Sequence, residues 1–288
     1  MKLHDIFKHF QKELSYVYDV DEAQALFFIT LDNLLGYNKS SYLINKDKNL
    51  TLIQIESFEL VLKDLKLQKP IQYILEEAYF YGLKFKVNES VLIPRPETEE
   101  LVEWILETLK NGDIPLNNNL LDIGTGSGCI AISLKKHLST SNVYALDIAM
   151  DSVLIAKENA TRNNVEVSFI VDDILNPKTT FKENKLDVIV SNPPYIKEDE
   201  RNAMNANVLE HEPHRALFVS NENPLIFYNA IADFAIKNLN SDGLLFFEIN
   251  EYLGKETVAL LEGKGFTNIY LRKDMQGKDR MIKASLLN

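Results

Sequence analysis

Apolar residues recur at steps of three and four from the start of the chain. Leu3, Ile6, Phe7, Phe10, Leu14 and Tyr18 fall on one face of a helix. A second helix is predicted from Asp21, whose carboxylate can cap free N–H groups, through Ala25, Phe28, Ile29 and Leu35 to a stop at Gly36. A third covers Ile53 to Leu67, with Ile55, Phe58, Leu62 and Leu65 as its stripe. No cluster of chemistry-bearing residues accompanies them, and a small helical bundle accounts for the pattern. The functional reading of such a bundle is a substrate-recognition or docking domain, which the sequence does not separate from a stabilising one.

The pattern changes at Pro70. Ile71-Gln72-Tyr73-Ile74 leads into the stretch Tyr79 to Val87, where Leu83, Phe85 and Val87 alternate behind Gly82, as in a short β-hairpin. Val91-Leu92-Ile93-Pro94-Arg95-Pro96-Glu97-Thr98-Glu99-Glu100 then makes a rigid Pro-X-Pro bend that opens a helix bearing Leu101, Ile105 and Leu109 on one face. Acids in its first turn suit the helix dipole. Arg95 and Glu97 read equally as part of that helix start and as site residues.

From Leu120 strands and helices alternate. Strands are predicted at Leu120–Ile123, Asn142–Asp147, Val167–Val171, Leu186–Ser191 and Gly243–Ile249, and two more at Thr267–Leu271 and Arg280–Ala284. Helices are predicted from about Cys129, from Asp151, across Pro224–Leu239 and around Glu256–Leu261. Alternation of this kind means an α/β domain, a parallel sheet covered by helices on both faces. The organisation that follows is a helical domain at 1–69, a hairpin linker at 70–93 and an α/β domain at 94–288.

Composition narrows the classes. With 288 residues, 45% hydrophobic and 25% charged, the chain has ample material for a core and no apolar run of membrane-spanning length. Met1-Lys2-Leu3-His4-Asp5 reads as the start of an amphipathic helix and not as a secretory signal. A single cysteine, Cys129, excludes an internal disulfide framework and makes a reducing, cytoplasmic setting the default. One cysteine and five scattered histidines offer no metal site. A net charge of −11 argues against a broad nucleic-acid footprint.

Two loops carry the candidate chemistry. The strand Leu186-Asp187-Val188-Ile189-Val190 runs into Ser191-Asn192-Pro193-Pro194-Tyr195. Consecutive prolines lack the N–H a strand ladder needs, so the chain leaves the sheet there in a stiff loop. That loop offers carbonyls, the Asn192 amide and the Tyr195 ring at a strand's carboxyl end, the edge where open α/β sheets bind ligands. The other is Asn119-Leu120-Leu121-Asp122-Ile123-Gly124-Thr125-Gly126-Ser127-Gly128-Cys129, a strand, a glycine turn and a helix start. Cys129 stands where a dinucleotide fingerprint wants glycine or alanine. The shortened Gly124-Thr125-Gly126-Ser127-Gly128 turn instead resembles the first motif of S-adenosyl-L-methionine-dependent methyltransferases. In that arrangement Asp147, ending the next strand, accepts the ribose hydroxyl protons. Asp173, after the third strand, accepts from the adenine amino group, with Ile174 against the ring.

Nearly the whole chain resembles the bacterial release-factor glutamine methyltransferase family. The matching stretches are Pro70 to Ile74, Phe80-Tyr81-Gly82, Val91 to Glu100, Asp122 to Leu134, Asp187 to Ile196, Glu212-Pro213 with Ala216-Leu217, and Gly277 to Met281. The Pro-Arg-Pro-Glu-Thr bend together with Asn-Pro-Pro-Tyr distinguishes this family from adenine-modifying enzymes that share only the latter. The resemblance implies a seven-stranded, Rossmann-like class I methyltransferase domain with an antiparallel last strand, behind a helical N-terminal domain and a hairpin linker. It implies S-adenosyl-L-methionine as cofactor. It also implies class I peptide-chain release factors as protein substrates, methylated on the glutamine side-chain amide of their Gly-Gly-Gln loop. Departures from the family pattern are Glu76, Asn250 and His211, where glycine, glycine and tyrosine are common, and Val219 to Asn223 in place of a glycine-rich turn.

A carboxamide nitrogen is a poor nucleophile, because its lone pair is delocalised into the carbonyl. Asn192 and the Pro193 carbonyl are positioned to accept the two amide hydrogens and favour positive charge on nitrogen, with Pro194 beside them. Tyr195 is expected to pack on the planar amide, and no general base is required. The rival is an adenine-specific DNA or rRNA methyltransferase, since a flipped adenine offers a similar flat amino group. A non-catalytic cofactor-binding domain and a nicotinamide dehydrogenase account for fewer of these residues. The expectation is a monomer with no direct nucleic-acid contact.

Overall fold

The computed structural model describes residues 1–111 and 118–286. The chain packs as two compact units, Met1–Glu77 with Asn205–His211, and Ala78–Met204 with Glu212–Asn288. Among the described residues no helix is long and apolar enough to cross a membrane.

The first unit contains α1 (Leu3–Leu14), α2 (Val20–Leu35), α3 (Lys39–Asn45), α4 (Leu52–Lys66) and the single turn α5 (Ile71–Ile74). Leu3, Ile6, Phe10 and Leu14 of α1 and Phe58, Leu62 and Leu65 of α4 are buried, as the periodicity predicts. For α2 the predicted face is corrected. Ala23, Leu26, Phe27, Thr30 and Leu31 turn inward, whereas Ile29 is 46% exposed. Apolar residues nearly surround this helix, so several stripes fit the period, and packing against α1 and α4 selects one. Phe27 is fully buried, with its ring 4.9 Å from Phe7, 5.5 Å from Phe10 and 6.0 Å from Phe58. The cap is corrected too. Asp19, not Asp21, accepts the Glu22 N–H at 2.8 Å, because the helix begins at Val20 and the capping position is the residue just before it. Helix α3, capped by Asn38, has seven residues, too few to show a period in sequence.

The second unit opens with a hairpin, β1 (Glu77–Phe80) and β2 (Leu83–Lys86). Its turn residues Tyr81 and Gly82 both have positive φ, 48° and 73°, as a two-residue hairpin turn requires. After α6 (Pro96–Asn111) come β3 (Asn119–Ile123), α7 (Cys129–His137), β4 (Asn142–Asp147), α8 (Met150–Arg162), β5 (Ser168–Val171) and β6 (Leu186–Ser191). An irregular segment follows, with β7 (Ile196–Lys197), a 3-10 turn at Glu198–Ala203, α9 (Ala206–His211), which belongs to the first unit, a second 3-10 turn at His214–Ala216, and β8 (Phe218–Val219). The chain ends in α10 (Ile226–Asn238), β9 (Leu239–Glu248), α11 (Gly254–Gly263), β10 (Phe266–Lys273) and β11 (Asp279–Leu286). Sequence periodicity does not predict β7 and β8, two residues each, which pair in parallel and pin the stretch after Tyr195.

Seven strands form one sheet in the order β10-β11-β9-β6-β3-β4-β5. The ladders β9–β6, β6–β3, β3–β4 and β4–β5 are parallel, and β11 runs antiparallel to both its neighbours. The seven-stranded arrangement with an antiparallel last strand is the expected one. Side chains alternate between faces with the strand period. Val188, Val190 and Phe246 pack with Leu101, Trp104, Ile105 and Ile130 on the α6–α7 side. Ile189, Leu245 and Phe247 pack with Tyr228, Ile231, Phe234 and Leu261 on the α10–α11 side. Burial on both faces is why β6 and β9 read as continuous apolar runs and not as alternating ones.

Candidate active site

Strands β3, β4 and β5 proceed outward on one side, and β6 returns to the other flank of β3. A crevice opens where the two directions part, outside the strands' carboxyl ends. Ile123 and Ser191 are register partners across β3 and β6, so the glycine loop and the Asn-Pro-Pro-Tyr loop leave the sheet side by side. A cavity of about 270 Å³ lies there. Its lining includes Gly124, Gly126, Asp147, Ile148, Asp173 and Ile174 on one side, Asn192, Pro193 and Pro194 on another, and Ser90, Val91, Leu92 and Arg215.

The glycine loop is held by backbone bonds. The N–H groups of Gly124 and Thr125 both donate to the Leu146 carbonyl, at 2.8 and 3.0 Å, and Gly126 N–H donates to Asp147 Oδ2 at 2.9 Å. Gly124 and Gly126 have φ of +75° and +52°, and a Cβ built on either meets nothing within 4 Å. Side chains there would project into cavity space, so both positions leave room for a ligand at the backbone. Asp147 Oδ1 accepts the Ala149 N–H at 2.9 Å, which fixes the carboxylate against the cavity with further lone pairs to offer. Asp173 accepts the Leu175 N–H at 2.9 Å, and Ile174 is buried.

Three residues of the predicted loop do not line the cavity. Thr125 donates its hydroxyl to Asp122 Oδ2 at 2.6 Å, the Ser127 carbonyl accepts from Asn159 Nδ2 at 2.9 Å, and Gly128 lies against α8. Asp122 is 1% exposed, and burial pushes its carboxyl up to about 7 despite the bonds from Thr125 and Ala131. The Asp122 carboxyl therefore ties β3, the loop and the first turn of α7 together.

Asn192 is tied back into the fold. Its Nδ2 donates to Thr98 Oγ1 at 3.1 Å, Thr98 Oγ1 donates to Glu248 Oε2 at 2.6 Å, and the Tyr195 hydroxyl donates to Glu248 Oε1 at 3.0 Å. Tyr195, expected to pack on an acceptor amide, lies outside the cavity lining, with its ring packed partly buried against the α10–α11 core. Burial raises its phenol, and the Glu248 carboxylate raises it further. Burial likewise raises Glu248, opposed by the hydroxyls of Thr98 and Tyr195 and by the Arg280 charge. Asn250, at a departure from the family pattern, donates to the Tyr195 carbonyl and to Glu200, each at 3.0 Å. Arg95 pairs with Glu212, which is 4% exposed and also accepts the Ile93 N–H. Thr98 and Glu248 are the residues that sequence reasoning missed. The signal was an acid closing the apolar strand Leu244 to Phe247, a place where an unpartnered charge is not tolerated.

Comparison with known proteins fits this geometry. The Methyltransferase small domain family model matches residues 100–222. A release factor glutamine methyltransferase of Flavobacterium psychrophilum is 48% identical over 277 residues, 96% of this chain and 96% of that protein. Proteins of the same name from Bacteroides thetaiotaomicron and Lactococcus lactis are 38% and 41% identical, covering 96% and 92% of this chain and 98% and 95% of their own. Among solved structures, a methyltransferase from Pyrococcus furiosus covers 73% of this chain and 91% of its own at 18% identity, with a TM-score of 0.53. The catalytic domain of hMettl16, solved with an RNA hairpin, covers 72% of this chain and 77% of its own at 17% identity, with a TM-score of 0.56. These two likenesses show the fold alone.

Proposed function

The chain belongs to the release factor glutamine methyltransferase family, and we propose that it transfers a methyl group from S-adenosyl-L-methionine to the Gly-Gly-Gln glutamine of class I release factors. The acceptor atom is the glutamine side-chain amide nitrogen. The observation that carries this reading is that the glycine loop, Asp147 and the Asn192–Pro194 loop line a single cavity. Gly124 and Gly126 leave the backbone open to a ligand, and Asp147 offers acceptors at the adjacent strand end. Asp173 and Ile174 form the wall suited to a nucleobase. These residues fit S-adenosyl-L-methionine, which when bound supplies a methyl group on a positively charged sulfur.

The chain's own residues then solve the problem of a weak nucleophile. Asn192 Oδ1 and the Pro193 carbonyl accept the two hydrogens of the glutamine amide, which fixes its plane and favours positive charge as the new N–C bond forms. Pro194 closes the wall beside it. Tyr195 serves the same loop from behind, through its ring packing and its bond to Glu248. The amide proton is lost after transfer, so no strong base is placed at the nitrogen. The reading places the enzyme in the cytoplasm as a monomer acting on protein, without direct nucleic-acid contact. The names of the relatives do not favour the adenine reading.

The test uses S-adenosyl-L-methionine labelled in its methyl group with three substrates: a release factor, its Gly-Gly-Gln glutamine→alanine variant, and total nucleic acid. Label on the first alone supports the proposal. Label on nucleic acid, with none on either protein, overturns it in favour of the adenine reading.

A further inference from the structure

Asparagine's carboxamide is nearly symmetric in shape and opposite in polarity at its two ends. If Asn192 is to accept hydrogens from a substrate amide, its oxygen and not its nitrogen must face the acceptor, and shape alone does not decide this. We propose that Glu248, acting through Thr98, sets the orientation of the Asn192 carboxamide. This inference rests on the proposed glutamine reading for its catalytic consequence, though not for its geometry.

The argument follows the protons. Glu248 is 1% exposed and sits at the end of β9, one step past Phe247, the register partner of Ser191. Its two oxygens face two hydroxyls, Thr98 at 2.6 Å and Tyr195 at 3.0 Å. When Glu248 is ionised its carboxylate only accepts, so each hydroxyl gives it its single proton. Thr98, 2% exposed, has no other proton to give, and its oxygen is left with lone pairs alone. The Asn192 group 3.1 Å from that oxygen must therefore be the donor end, Nδ2. A turned-over amide would set two oxygens together without a hydrogen between them. With Nδ2 held at the back, Oδ1 is the end left for the substrate.

The members come from three separate parts of the second unit: Thr98 from the first turn of α6, Glu248 from β9, Asn192 and Tyr195 from the loop after β6. The relay thus converts the ionised state of one buried carboxylate into the polarity of a side chain at the cavity. Thr98 and Glu248 are positioning residues; neither lines the cavity.

The test compares Thr98→Val, which keeps the shape and removes the hydroxyl, with Thr98→Ser, which keeps the hydroxyl. Turnover of a release factor, affinity for S-adenosyl-L-methionine by calorimetry, and the Asn192 side-chain amide signals in a ¹⁵N-asparagine-labelled sample are measured for each. The expected result for Thr98→Val is a kcat lowered roughly tenfold to a hundredfold. KM and cofactor affinity should stay within about threefold, and hydrogen-exchange protection of the Asn192 amide should be lost. Thr98→Ser should recover most of both losses. Wild-type kcat and unchanged amide protection in Thr98→Val would overturn the relay. So would an equal loss of kcat and cofactor affinity that serine does not restore. Should the wild-type enzyme leave release factors unmodified, the substrate reading fails on its own. The relay is still decided by the Asn192 amide signals, which need no substrate.

Discussion

Replacing Gly128 by alanine separates folding from binding within the glycine loop. Gly128 has φ of +83°, and a Cβ there would lie 2.8 Å from Ile132 Cδ1, 3.1 Å from Ala156 Cβ and 3.4 Å from Ala156 Cα. The left-handed backbone alone costs an L-residue about 1–2 kcal/mol. Ile132 Cδ1 is the free end of a side chain and can swing aside. Ala156 has no rotamer to change, so α8 must move away from α7, an overpacking of a kind that costs about 1–3 kcal/mol. Together the substitution should cost roughly 2–5 kcal/mol, a large share of the stability of an ordinary domain. Gly126→Ala is the control. Its φ is +52°, so it carries the backbone strain, but its Cβ meets nothing within 4 Å and enters the cavity. Urea unfolding should therefore show the large loss in Gly128→Ala. Calorimetry should show the large loss of S-adenosyl-L-methionine affinity in Gly126→Ala. A Gly128→Ala protein with the wild-type urea midpoint would refute the reasoning, as would stability losses in the opposite order.

Three further outcomes follow from the same contacts. Asp147→Asn turns an amide N–H₂ toward one of two backbone donors, Gly126 N–H or Ala149 N–H, and removes acceptors from the cavity. Calorimetry should show cofactor binding weakened by about 1–3 kcal/mol. Arg95→Ala leaves Glu212 buried without its cation and should cost about 3–5 kcal/mol in urea unfolding, whereas the double variant Arg95→Met with Glu212→Leu should lose less. Burial holds the Asp122 carboxyl up at about 7, so the folded chain keeps a proton that the unfolded chain has released. Stability from this group is present at low pH and falls by about 1.4 kcal/mol per unit as pH rises toward 7, flattening above it. Glu248 is also raised by burial and acts with the same sign. The difference between wild type and Asp122→Asn, followed by thermal unfolding from pH 5.5 to 8.5, isolates the Asp122 share.

Much of this architecture is legible in sequence because it is encoded locally. The strands before Gly124 and Asn192 are buried on both faces and read as apolar runs, and glycine and proline mark where each leaves the sheet. Asp147 and Asp173 are legible because strand ends on a parallel sheet converge on one edge. The helix faces of the first unit are less so. In α2 apolar residues outnumber the positions a single face can hold, and only packing decides that Phe27 is central and Ile29 exposed. The support behind Asn192 is not encoded locally at all. Thr98 meets Glu248 across 150 positions of chain and Asn192 across 94, and hydropathy does not register such pairings. Tyr195 illustrates the same limit. An aromatic beside a functional amide suggests stacking, but the buried acid at the end of β9, the strand next to β6 in the sheet, draws its hydroxyl inward.

The central claim concerns one atom, the glutamine side-chain nitrogen of the Gly-Gly-Gln loop. A release factor incubated with this enzyme and S-adenosyl-L-methionine, digested and sequenced by tandem mass spectrometry, tests it most directly. The account predicts one added methyl group on the Gly-Gly-Gln peptide, assigned by its fragments to the glutamine side chain and missing when Asn192 is replaced by alanine. A methyl group on any other residue, or an unmodified release factor beside methylated nucleic acid, would contradict it.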